Sequence, residues 1–263
     1  SRAKRVDDAI VKAAKASHNI GMKRNNENYE VYENNFDKSL YQSLFQPKEK
    51  LLFEFERNKL FAESITNTNI NTSLQFNNEL IQKHEVKGLP ENFAVVFPGS
   101  RNKYRIWPTE NFVTVSNYLV ETHQLKIIVC GSMTDVVYAE SFIQQCPFTV
   151  INFVGKTNLL QMLYILSKAK CLLSVDTGSI HLAASVNCTT FGIFNGSQYG
   201  RFSPYPKTII KNIYAVYPDE VETDIIKNNL NKYEYVVNIP YAAVATKKII
   251  SVIKHHFNLQ HEI

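Results

Sequence analysis

The sequence predicts an α/β fold: a Rossmann-like parallel sheet flanked by helices, preceded by a smaller helical and loop segment. Two observations carry this expectation. From residue 93 onward, short apolar runs alternate with amphipathic stretches of roughly 10–15 residues, the pattern of successive β-α-β units. Most of those runs also end in loops rich in Gly, Ser, Asp or Arg, as expected where a parallel sheet turns its carboxyl edge toward a ligand.

The elements follow in order. Val6, Ile10, Val11 and Ala14 share one helical face, ringed by Arg2, Lys4, Arg5, Lys12 and Lys15. A polar segment, Arg24 to Asp37, separates this helix from a second one expected from Pro47 to Ala62. Residues 64–78 are rich in Asn and Thr and read as linker, so a boundary is expected within residues 64–92. This assigns residues 1–80 to one domain with its linker and 81–263 to the Rossmann-like domain. Strands are then expected at Phe93–Phe97, Lys126–Cys130, Thr149–Phe153, Cys171–Val175 and Thr189–Phe194. Helices are expected at Pro108–His123, Met133–Gln145, Asn158–Lys168 and from Ser179. Two more helical stretches, Asp219–Leu230 and Tyr241–His256, close the chain.

Composition narrows the function classes. The chain has 263 residues, 44% of them hydrophobic, enough for one large core or two modest ones. A net charge of +5 suits anionic small molecules or an acidic membrane surface. No concentrated basic patch accompanies it, so nucleic acid is not an expected partner. Cys130, Cys146, Cys171 and Cys188 form no C-x-x-C pair and have no His at metal-ligand spacing. They read as buried free thiols in a reducing, cytoplasmic compartment, and neither metal nor cofactor is expected. No apolar run approaches the roughly 20 residues of a membrane span, and no signal peptide is recognisable. The basic stretch at residues 2–15 reads first as a solvated face and second as a peripheral membrane contact. Because the chain opens on Ser1 already in helical character, a preceding segment is expected.

Chemistry is expected in the strand-end loops. The loop Pro98 to Pro108 offers Gly99 for a tight turn, Ser100 as a hydroxyl, and Lys103 and Arg105 as cations just before a helix, a plausible phosphate site. In Cys130-Gly131-Ser132-Met133-Thr134-Asp135, Asp135 can meet a ribose hydroxyl or simply complement a helix dipole. Gly155-Lys156-Thr157 lacks the first glycine of a P-loop, since Val150 stands there. The most informative stretch is Ser174-Val175-Asp176-Thr177-Gly178-Ser179-Ile180-His181. An apolar strand, Asp-Thr-Gly-Ser and a helix start together make an anion site suited to a diphosphate, with Gly178 allowing close approach. The same tetrapeptide occurs in aspartic proteases, but those need two copies in an all-β setting, and one copy in a β-α-β series argues against that activity. The last loop, Phe194 to Pro206, carries Gly196, Arg201 and several aromatics, a composition able to line a sugar or phosphate pocket.

Taken together, PGSRNKYRIWP, the Gly131–Asp135 turn, VGKTNLLQMLYILSKAKCLLSVDTGSIHLAA and FNGSQYGRFSPYP resemble glycosyltransferase family 9, the lipopolysaccharide heptosyltransferases. The resemblance covers roughly residues 93–206, with Asp-Thr-Gly-x-x-His-Leu-Ala as its specific element. It implies a GT-B type architecture with residues 1–62 as the end of an otherwise incomplete amino-terminal, acceptor-side domain. It further implies inverting, metal-independent transfer from a nucleotide-diphosphate sugar, ADP-heptose-like, to a lipopolysaccharide or related glycolipid acceptor. Asp176, Thr177, Gly178, Ser179 and His181 would hold the diphosphate and sugar, Arg105 with Ser100 and Lys103 the phosphate, Asp135 the nucleoside, and Gly196 the last loop. Asp135 stands where the family usually has Glu, and Phe194-Asn195-Gly196-Ser197 where it has Phe-Gly-Pro-Thr. The family's base is an acidic residue near its chain start, so no base is assigned here. Two rivals remain: a non-catalytic nucleotide-sugar-binding module, and a nucleotide-sugar epimerase on the same fold.

Overall fold

A computed structural model describes residues 6–22, 37–47, 52–71 and 73–261. The chain divides into two compact units, Ser1–Thr72 and Ser73–Ile263. The first contains helix α1 (Val6–Ala14), strands β1 (Ile20–Met22) and β2 (Ser43–Phe45), which pair in parallel, and helix α2 (Glu54–Thr66). Asp8 is buried there and is satisfied by the Tyr41 hydroxyl at 3.2 Å and the Asp37 N–H at 3.2 Å. The short strands β1 and β2 were not expected. The helix expected from Pro47 begins at Glu54, while its residues 48–51 and most of the Arg24–Asp37 segment lie outside the described residues, as do Arg2, Lys4 and Arg5.

The second unit is built on a six-stranded parallel sheet. Its strands are β3 (Phe93–Phe97), β4 (Lys126–Val129), β5 (Val150–Asn152), β6 (Cys171–Val175), β7 (Thr190–Ile193) and β8 (Ile213–Val216), in the order β5-β4-β3-β6-β7-β8. That is the doubly wound Rossmann order, and it puts the topological switch point between β3 and β6. The central strands read as continuous apolar runs because both faces are covered. Ala94 and Val96 point into a core with Trp107, Phe112, Leu119, Phe142 and Ile253. Phe93 and Val95, one residue out of phase, point into the opposite core with Met162, Ile165, Leu166 and Ala183. Helices α4 (Thr109–His123), α5 (Val136–Gln145) and α9 (Thr246–His261) supply the first core, and α6 (Leu159–Lys168) and α7 (Gly178–Ser185) the second. This is the α/β fold of GT-B type that the sequence predicts.

Several boundaries differ from expectation for physical reasons. Part of the stretch read as linker folds onto the second unit. Asn77 caps a short helix, α3 (Asn78–Gln82), by accepting from Leu80 N–H. Ile81 then packs with Leu163 and Tyr164 of α6, and Phe76 N–H donates to the Ser185 carbonyl at 2.8 Å. β8 went unseen because Ile-Tyr-Ala-Val follows a polar turn and is only four residues long. The helix expected from Tyr241 starts at Thr246 instead, and Tyr241–Ala243 is a separate 3₁₀ turn. Helix α8 (Asp219–Ile226) stops short of Leu230, with Asn228 in the left-handed region at φ 56°. All four cysteines are free, and burial raises their thiols, that of half-buried Cys146 to about 12.

Candidate functional site

Two loops converge at the switch point. The first leaves β3 and runs through a 3₁₀ turn, Lys103–Arg105, capped by the Asn102 side chain. It is pinned by Trp107, which is fully buried and donates its indole N–H to the Val244 carbonyl at 2.9 Å. With Trp107 fixed, Arg105 is aimed back over the sheet edge. Its guanidinium meets the second loop, at the end of β6, twice. Nη1 lies 3.1 Å from Asp176 Oδ2 and 3.0 Å from the Asp176 carbonyl. Asp176 is itself held to β7, donating its N–H to the Ile193 carbonyl.

Electrostatics at this junction are governed by burial. Asp176 sits above the usual carboxylate range, because loss of solvent outweighs the favourable fields of Arg105 and His181 and the nearby Tyr241 phenol. The His181 ring is held below the usual histidine range by its crowded surroundings, an effect that Asp176 partly opposes and Arg105 reinforces. The residue as a whole is nevertheless exposed. Nδ1 of His181 is hydrogen-bonded to the Tyr205 hydroxyl, and burial keeps that phenol protonated. A phenol that donates to Nδ1 leaves the hydrogen of the neutral imidazole on Nε2, and one that accepts leaves it on Nδ1.

Thr177 precedes helix α7 in extended conformation, with φ −141° and ψ 176°. The first N–H groups of a helix have no intrahelical acceptor, so those of Gly178 and Ser179 are available beyond the sheet edge. At Gly178 nothing lies within 4 Å of where a Cβ would stand, which leaves the approach open. The hydroxyls behave differently from expectation. Ser179 lies 2.7 Å from Ser174 and 2.8 Å from Thr177, so the three hydroxyls stitch strand end to helix start. What buried Ser179 offers a ligand is backbone rather than side chain.

Other predicted residues are placed in supporting roles. Ser100 is buried and accepts from the Asn102 N–H at 3.2 Å, so its hydroxyl closes the turn. Lys103 is exposed and lies over the Tyr104 ring. Asp135 Oδ2 accepts from both the Ser132 N–H and hydroxyl, at 2.8 and 2.7 Å. A Cβ on Gly99 would fall 2.5 Å from its Oδ1, so this carboxylate is packed against the first loop. Gly196 has φ +93°, and a Cβ there would press on Tyr233 and Val221. Its glycine serves backbone conformation and packing. The sequence reading missed Tyr205 and Tyr241 as members of the site. Tyr205 lay in a loop already under suspicion, whereas nothing local marks Tyr241.

Among the described residues, no cluster of His, Cys, Asp and Glu could hold a metal ion, and no helix is long and apolar enough to cross a membrane. The chain is 27% identical over 135 residues to the lipopolysaccharide core heptosyltransferase OpsX of Haemophilus influenzae, a stretch that is 51% of this chain and 38% of that protein. It spans less than half the length of the curated relatives it matches. In structure it is similar to the glycosyl transferase family 9 protein from Veillonella parvula, with TM-score 0.66 and 16% identity over 92% of this chain and 67% of that one. It is likewise similar to Escherichia coli heptosyltransferase WaaC with ADP, with TM-score 0.59 and 18% identity over 82% and 60%. The model of glycosyltransferase family 9 (heptosyltransferase) matches residues 8–230, most of the chain, and the chain therefore belongs to that family.

Proposed function

We propose that this chain carries the donor site of a heptosyltransferase that moves a heptose from an ADP-heptose-like donor to a lipopolysaccharide or related glycolipid acceptor. The observation that carries the reading is the meeting of Arg105 and Asp176 beside the open amino end of α7. It brings a guanidinium, the N–H groups of Gly178 and Ser179 and a helix dipole to one place at a Rossmann switch point. Its support from relatives is their names: an OpsX core heptosyltransferase and a WaaC structure with ADP.

In this proposal the acceptor hydroxyl attacks the anomeric carbon directly, with inversion, giving its proton to a general base, and the nucleoside diphosphate leaves without help from a metal. Negative charge then grows on the leaving phosphate. Arg105, the Gly178 and Ser179 N–H groups and exposed Lys103 are the groups that stabilise it. Neutral His181, with its hydrogen on Nε2, donates to a phosphate or sugar oxygen. Asp176 orients Arg105 and receives hydroxyls of the donor sugar. Residues 1–72 belong to the acceptor side.

Calorimetric titration of this chain with ADP-heptose, ADP, GDP and UDP in metal-free buffer tests the proposal. Micromolar affinity for one nucleotide, lost in Asp176→Ala and Arg105→Ala, is the expected result. Unchanged affinity in both variants would refute the site. Donor conversion without any acceptor would replace transfer by epimerisation.

A further inference from the structure

We infer that Tyr205 is a positioning residue of the donor site: its phenol donates to Nδ1 of His181, fixes that ring, and leaves the imidazole hydrogen on Nε2 for an oxygen of the nucleotide-sugar. The inference rests on the donor-site reading above and deepens it. Its basis is a direct contact. The Tyr205 hydroxyl is hydrogen-bonded to Nδ1 of His181, and the two ring centroids lie 5.8 Å apart. A neutral imidazole has one donor nitrogen and one acceptor nitrogen. With Nδ1 committed to the phenol, Nε2 is the ring nitrogen left for a ligand.

The direction of the bond follows from the chemistry of the partners. An imidazole nitrogen takes up a proton at a pH of about 6.5, whereas a phenol keeps its own to about 10, and its neutral oxygen is a far weaker base. Donation from O–H to the ring nitrogen is therefore the stronger arrangement. Burial keeps this phenol protonated, so the hydrogen is there to give. The reverse arrangement would make Nε2 an acceptor, with nothing to offer an ionised phosphate, which only accepts.

The chain around Tyr205 is built to hold the phenol still. Tyr205 is 4% exposed. Two residues earlier, Ser203 is buried, and its Oγ accepts from the Tyr217 hydroxyl at 3.1 Å. The Ser203 carbonyl accepts from the Gly200 N–H. Tyr217, just past β8, is packed against Phe194 and Tyr199, with ring centroids 5.7 Å from each. One residue after Tyr205, the Pro206 carbonyl accepts from the Ile209 and Ile210 N–H groups at 2.9 and 3.1 Å. Phe202 adds an edge contact to the His181 ring, centroids 6.4 Å apart. His181 stands in the first turn of α7, beside the N–H groups of Gly178 and Ser179. Its ring is thus steered by the loop after β7 and not by its own helix. A donor fixed before the ligand arrives spares the cost of ordering it on binding.

The test has two readouts on the whole chain at pH 8.5, about two units above the ordinary histidine value. Imidazoles are neutral there and nucleotide phosphates fully ionised, so neither titrates in the comparison. The first readout is nitrogen-15 NMR of the nucleotide-free protein, with the His181 ring signals identified by their loss in H181Q. Wild type should carry the ring hydrogen on Nε2, with its Nδ1 signal displaced from that of an unbonded acceptor nitrogen. Y205F keeps the ring and its packing and should abolish that displacement. The second readout is calorimetric titration with ADP, GDP and UDP. Y205F should bind the nucleotide preferred by wild type about five-fold more weakly, the worth of one neutral hydrogen bond. Added to H181Q, it should change nothing further. A wild-type hydrogen on Nδ1 would overturn the inference without recourse to any variant, so even a Y205F protein that fails to fold leaves it refutable. An Nδ1 signal that Y205F leaves in place would overturn it too. So would an equal loss of affinity on adding Y205F to wild type and to H181Q, which would mean packing alone. Failure of wild type to bind any nucleotide would sink the donor-site reading and Tyr205 with it, whereas normal binding and an indistinguishable Y205F would sink Tyr205 alone.

Discussion

Gly178 and Gly196 both stand in loops expected to touch the donor, yet their surroundings predict opposite consequences for one added methyl group. At Gly196, φ is +93°, and an alanine Cβ would lie 2.9 Å from Tyr233 Cδ1 and 3.1 Å from Val221 Cγ1. Tyr233 and Val221 are both fully buried, so neither can step aside. Backbone strain of about 1–2 kcal/mol adds to overpacking of about 1–3 kcal/mol. Gly196→Ala should therefore lose roughly 2–5 kcal/mol, and at about 2–4 °C per kcal/mol for a unit of this size its Tm should fall by roughly 4–20 °C. Gly178 opens α7 with no atom within 4 Å, so Gly178→Ala should keep wild-type stability or gain up to about 1 kcal/mol from helix propensity. Its Cβ would instead project into the space offered to the diphosphate, and nucleotide affinity should fall. Thermal unfolding and nucleotide titration of both variants separate the two. A Gly196→Ala protein with wild-type Tm, or a Gly178→Ala protein that melts early and binds normally, would refute the reasoning.

Three further outcomes are expected. Asp135→Ala removes the acceptor of the Ser132 N–H and hydroxyl and should cost about 1 kcal/mol in urea denaturation, in the range of a lost helix cap. Trp107→Phe leaves the Val244 carbonyl without its indole donor and opens a small cavity. It should cost about 2 kcal/mol and weaken nucleotide binding through a loosened Arg105 loop, and a stability loss with unchanged affinity would break that link. His256 is buried among Phe191, Tyr214 and Phe257, and desolvation together with His255 holds its pKa below the usual histidine range. As pH falls through about 6.5, the unfolded ring takes up a proton that the folded ring refuses until lower pH. The unfolded state binds more protons in that window, so stability should fall as pH falls. Urea midpoints of wild type and His256→Gln from pH 7.5 to 5 should converge on the acid side if this is right.

How far these features could be read in advance depended on how local their causes are. The five apolar runs from Phe93 to Phe194 announced their strands because a parallel strand covered on both faces needs nothing but apolar residues. Asp176 to His181 marked a candidate anion site because a strand, a glycine and a helix start are consecutive in the chain, and the free N–H groups follow from that geometry alone. β8 escaped because four residues after a polar turn carry too little pattern, and α3 because its capping residue Asn77 sits among other asparagines.

Tertiary structure decided the rest. Arg105 and Asp176 are cations and anions on paper, and only the β3–β6 adjacency makes them a pair. The mutual contacts of the Ser174, Thr177 and Ser179 hydroxyls follow from how strand end and helix start are folded together. The need for glycine at position 196 comes from Tyr233 and Val221, which stand where a side chain would go. Tyr241 had no local signature at all, because its position is set by Trp107 and Asn195, which hold the Val244 and Ile239 carbonyls from two other loops. Sequence by itself determined the family, the five strands from Phe93 to Phe194 with the helices between them, and the strand–glycine–helix turn expected to hold an anion, since these are properties of contiguous residues. Which side chains face that turn was decided by packing between segments remote in the chain, and no window along the sequence contains that information.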